Sequence, residues 1–165
     1  MRLSQPPFDA SRERRSAGRD MKLVPLISSG TAGPLGVLHL PRLWLKASLE
    51  ARGLLADGYP GAGKGYDQMV IDGLGLKREA VLDYIATSRP TYTEFEAWVK
   101  ANGTSVDADS IAKLNAAIIG YNHDDATRKS VLGSCGLPDD DCACKDAVNL
   151  NNLDDWQEFH AAVLK

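Results

Sequence analysis

Between His39 and Asp67 the chain reads HLPRLWLKASLEARGLLADGYPGAGKGYD, and several side chains in this stretch are of the types that chemistry needs. Arg42, Lys46 and Lys64 are cations suited to a carboxylate or a phosphate ester, arginine through its planar fork and lysine as a point charge. His39 has the side chain that titrates nearest neutrality, which fits proton transfer. Tyr66 can donate a hydrogen bond to developing negative charge, and Asp67 can orient the loop that carries it. Arg42 and Lys46 are one turn apart on a helix that is otherwise apolar on two sides, so their heads go either to solvent or into a polar cleft. Gly58, Gly61, Gly63 and Gly65 let the following backbone approach that helix closely. The expectation is one anion site lined by Arg42, Lys46 and Lys64, with His39 and Tyr66 at its rim. The competing reading is three solvated cations, with Arg42 paired to Glu50 or Asp57.

Two other patterns carry less. Gly58, Gly63 and Lys64 match the opening of a phosphate-binding loop, but Gly65 stands where that motif needs Ser or Thr, and a helix precedes it instead of a strand. An anion-binding concavity of backbone N–H groups survives from that comparison. Cys135, Cys142 and Cys144, with His123 and His160, have none of the paired spacings of structural zinc sites, so idle thiols and no metal are expected. Asp139, Asp140 and Asp141 lack the alternating ligands of a calcium loop. No cofactor is expected.

These side chains need elements to hold them. Pro41 suits the first turn of a helix. Leu40, Leu43, Trp44, Ala47, Ala51, Leu54 and Leu55 then recur at helical spacing, with Leu45 and Leu49 on the opposite side, which predicts a central helix over 41–56 followed by a loop over 58–67. Before it, 21–38 reads as an irregular arm punctuated by proline and glycine. After it, Asp67 is expected to cap a short helix containing Met69, Val70 and Ile71. A helix over 77–87 buries Val81, Leu82 and Ile85. Thr91 and Glu94 form a capping-box pattern ahead of Phe95, Trp98 and Val99. Asp107 caps a helix with Ile111, Leu114, Ile118 and Tyr121 inward, and Asp124 or Asp125 starts one ending at Gly133. A loop over 134–152 leads to a last helix opened by Asp154, with Trp156, Phe159, His160 and Val163 facing inward. Nothing alternates with period two, so the fold class is all-α: a compact single-domain bundle of about six or seven short helices over 21–165. Residues 1–20 are polar, charged and aperiodic, which predicts a disordered extension, and Met21 is a candidate start.

On Leu40-Pro41-Arg42, the lysine four residues beyond Arg42, the GYPGAGKGYD loop and the later FEAWVKANG, the chain resembles the small bacterial proteins of domain-of-unknown-function family 5069, over about residues 35–165. The resemblance implies a helical fold. It implies no substrate, because the family name records no assigned activity.

A net charge of −3 with no basic surplus excludes nucleic acid as the expected partner. No apolar run approaches the roughly 20 residues of a membrane span, and three cysteines without an apolar leader fit a reducing cytoplasm. The expected function is a small soluble protein binding an anionic small molecule between the 41–56 helix and the 58–67 loop, with an enzyme among the outcomes. The alternative is a non-catalytic helical interaction module, a homodimer included, that uses the Trp44, Leu45 and Leu49 face.

Overall fold

A computed structural model describes residues 21–140 and 143–165. The extension at 1–20 and Cys142 lie outside the described residues. Within them the chain is a compact all-α bundle of seven α-helices: α1 (Leu40–Glu50), α2 (Tyr66–Gly73), α3 (Arg78–Ser88), α4 (Tyr92–Asn102), α5 (Ala108–Ile119), α6 (Asp125–Ser134) and α7 (Ala147–Phe159). None of the described helices is long and apolar enough to cross a membrane.

The central helix is α1, which packs against α2, α3 and α4. It is buried nearly all round, as its two apolar sides require. It is shorter than the periodicity suggested. It stops at Glu50, and Gly53 turns the chain with a positive φ of 67°. Leu54 and Leu55 leave the helix to bond the arm: Leu23 N donates to Leu54 O at 2.7 Å, and Ala56 N donates to Leu23 O at 3.0 Å. Leu55 is still buried, which is why it fell into the apolar pattern.

The caps at local signals form as expected. Thr91 and Glu94 make a reciprocal capping box on α4, and Asp107 and Asp124 cap α5 and α6 through Ser110 N and Thr127 N. Asp67 is a correction: Gly65 holds the cap position of α2, and Asp67 sits inside the first turn with its carboxylate engaged elsewhere. Phe95 and Val99 are fully buried, whereas Trp98 is half-buried and stacks on Tyr84 at 4.8 Å. The Trp44 face is covered within the chain. Its indole donates to Pro90 O at 3.0 Å, its ring meets Tyr92 edge-on, and Leu49 is buried.

The largest correction concerns α7. Its cap is Asp146, eight residues before Asp154, and the expected 134–152 loop is shortened accordingly. The residues it buries are Ala147, Leu150 and Asp155, while Trp156 and Val163 are each 59% exposed. Its last turn widens to π-helical geometry over His160–Leu164.

Candidate functional site

His39, Arg42 and Lys46 are spaced i, i+3 and i+7, so one stripe of α1 is polar. All three are buried. Polar groups in that position need partners, and each is supplied from a distant part of the chain.

Asp67 serves two of them. Its Oδ1 accepts from His39 Nε2 at 2.8 Å; its Oδ2 accepts from Lys46 Nζ at 2.5 Å and from Gly63 N at 2.6 Å. Burial alone would raise this carboxyl, but the His39 hydrogen bond and the Lys46 charge outweigh it and hold Asp67 at about 2. His39 is shifted the other way from its ordinary value: burial disfavours the imidazolium more than Asp67 favours it. The imidazole is therefore neutral, with its Nε2 hydrogen on the carboxylate. That tautomer leaves Nδ1 a bare acceptor, and Nδ1 is buried without a partner. His39 itself holds a left-handed backbone, φ 66°, at the cap position of α1. Histidine is one of the few side-chain-bearing residues found there with any frequency.

Arg42 is taken by Asp155 of α7. Nη1 donates to Asp155 Oδ2 at 2.6 Å and Nη2 to Oδ1 at 2.9 Å, and Nη1 also reaches Pro25 O at 2.5 Å and Ile27 O at 2.8 Å. Neither Glu50 nor Asp57 is its partner. Tyr59 OH donates to the same Asp155 oxygen as Nη2, at 3.0 Å. One guanidinium thus ties the arm to the last helix across α1.

The glycine loop is clamped from three sides. Glu50 Oε1 accepts from Gly61 N at 2.9 Å, Asp67 accepts from Gly63 N, and Arg78 donates to the carbonyls of Ala62 and Gly63. A Cβ at Gly61 would meet the Glu50 carboxylate at 2.0 Å, so that position has room only for glycine. Lys64 projects from this loop as an exposed side chain and is not part of the cavity wall. Tyr66 does line the wall, but its hydroxyl hydrogen goes to Ile118 O at 2.9 Å. Burial pushes that phenol up to about 12, so it stays protonated.

Together these elements line an open cavity of about 370 Å³, a size that holds a small molecule. His39, Lys46 and Asp67 line it. So does α7, whose Asn151, Asp154, Asp155 and Glu158 recur at i, i+3, i+4 and i+7 and line the cavity as one stripe. His123 Nε2 donates to Asn151 Oδ1 at 2.9 Å. The α7 stripe was missed in the sequence, because a run of Asn, Asp and Glu at helical spacing reads as a solvated face. The residue that marks it is Asp155, which neutralises the buried Arg42.

Fold and site define the class of the protein: an all-α bundle with a polar cavity whose two cations, Arg42 and Lys46, are each paired to a carboxylate. Compared with models of known families and with curated proteins, the chain matches none.

Proposed function

We propose that the cavity binds a small polar molecule and that His39 accepts a hydrogen bond, or takes a proton, from a hydroxyl or N–H group of that molecule. The observation that carries this reading is the contrast between the two ring nitrogens. Nε2 is fixed by an ionised carboxylate, whereas Nδ1 is a buried acceptor with no donor in a residue of the cavity wall. Leaving such an atom unpaired costs about 1–3 kcal/mol, which a ligand donor recovers. A neutral imidazole oriented by a carboxylate is also the arrangement that suits a general base.

The ligand class shifts from the expected anion. Arg42 has its fork on Asp155, Lys64 lies outside the wall, and Lys46 is matched by Asp67. A neutral or cationic molecule fits that charge balance better. The resemblance to family 5069 adds a helical fold to this reading and no chemistry. The test is a thermal-shift screen of polyols, amines, carboxylates and phosphates on the full chain and on His39→Asn, a residue that tolerates the left-handed backbone. Stabilisation by a hydroxyl- or amine-bearing compound that is lost in His39→Asn supports the reading. Stabilisation by phosphates or carboxylates that persists in His39→Asn overturns it.

A second reading, a helical interaction module, has its own observation: Trp156, Val163 and Leu164 are each about 60% exposed at the end of the chain. Sedimentation of the protein and of Trp156→Ser tests whether that surface joins two copies.

A further inference from the structure

Among the charged groups of the cavity wall, the two cations are each matched to a carboxylate, Arg42 to Asp155 and Lys46 to Asp67. Three further carboxylates, Asp57, Asp154 and Glu158, line the same cavity, and their side chains make no hydrogen bond or ion pair with another described residue. Asp154 and Glu158 stand one turn apart on α7, on the stripe that faces the cavity. We propose that this end of the cavity is a subsite for a protonated amine, so that the molecule bound is a small hydroxylated or N–H-bearing amine, its ammonium between Asp154 and Glu158 and its donor group on His39 Nδ1.

This rests on the reading of His39 given above and adds the charge of the ligand. Two observations support it. The Asp154 carboxyl is pushed up by burial and by the negative charges of Asp155 and Glu158, which outweigh the pull of Arg42 and His123. Tyr59 and Tyr121 line the same space, and the face of a tyrosine ring attracts cations. The acidic stripe is not the whole of the case: His39, whose buried Nδ1 has no partner, lines the same cavity and asks for a donor independently.

The experiment compares two near-isosteric probes, 2-amino-1,3-propanediol and glycerol, at neutral pH and about 0.15 M salt, where surface attraction is screened. Calorimetry and thermal shift are read on the full chain, on the pair Asp154→Asn with Glu158→Gln, and on His39→Asn. The unliganded melting temperatures check folding, since the α7 pair removes repulsion toward Asp155 together with the weaker attraction of Arg42 and His123. The expected result is amine binding at least about tenfold tighter than glycerol, the preference lost in the α7 pair, and both probes weakened in His39→Asn. Equal affinity for the two probes, or a preference for the amine that survives in the α7 pair, overturns the subsite while leaving the His39 reading standing. Binding unchanged in His39→Asn overturns the reading beneath it.

Discussion

His39 Nε2 and Asp67 Oδ1, 28 residues apart in the chain, meet at 2.8 Å with both side chains 3% exposed. The carboxylate is shared, since Lys46 holds its other oxygen. A buried charge that loses its partner is far more costly than the pair is beneficial. Asp67→Asn leaves the Lys46 ammonium without its counter-charge and should destabilise by about 3–5 kcal/mol. Lys46→Met removes the cation while Asp67 keeps His39 and Gly63 N. In urea denaturation the double variant should therefore be clearly less destabilised than the sum of the two singles. Strict additivity would refute the coupling.

The same pair sets a two-step acid response. His39 is held neutral in the fold, below its ordinary 6.5, so below that pH the unfolded chain binds the extra proton and stability falls as pH drops. Asp67 is held at about 2 against an ordinary 3.8, so its contribution is present above about pH 4 and is lost as pH falls through 2. That second step is on the order of 2 kcal/mol. Unfolding free energies measured between pH 8 and pH 3 should show the first slope in the wild type and not in His39→Asn. A stability that rises on acidification from pH 7 to 5 contradicts the neutral imidazole.

How far the sequence reaches depends on the range of the interaction. Caps at Thr91, Asp107 and Asp124 are local, so residue type and spacing suffice to place them. The polar stripe of His39, Arg42 and Lys46 is likewise a matter of helical period, and its burial follows from the apolar residues on either side. Lys64 is different: it leaves a loop, where no period sets direction, and the clamps on Gly61 and Gly63 turn it outward. The end of α1 was overrun because Leu54 and Leu55 are buried by the arm at 23 and not by the helix. The reversal of α7 has the same origin. Trp156, Phe159 and Val163 form a convincing apolar side, and only a cation 113 residues earlier in the chain decides that Asp155 goes inward instead.

Arg42 also makes a mechanical prediction. Its guanidinium joins the arm at Pro25 and Ile27 to α7 at Asp155. Arg42→Lys keeps the charge but loses the fork. Hydrogen exchange should speed up in two places at once, the 23–28 segment and α7, while the amides of α3 and α4 keep their protection. Faster exchange confined to one of the two segments would show that they are held separately.

The orientation of α7 is the claim on which the acidic wall of the cavity depends, and a pair of substitutions isolates it. Leu150 is fully buried and Trp156 is 59% exposed, although the sequence favours tryptophan as the core residue. Leu150→Ala removes buried methyl groups and leaves a cavity, so it should cost about 2–5 kcal/mol. Trp156→Ser changes only an exposed side chain and should shift stability by no more than about 0.5 kcal/mol. The two variants are six residues apart, which places them on different sides of the helix, so their costs report which side faces the bundle. Guanidinium denaturation with the same slope for both variants gives the comparison directly. The reverse order, with Trp156→Ser severe and Leu150→Ala mild, would mean that α7 is rolled the other way, with Asp154 and Glu158 turned out of the cavity.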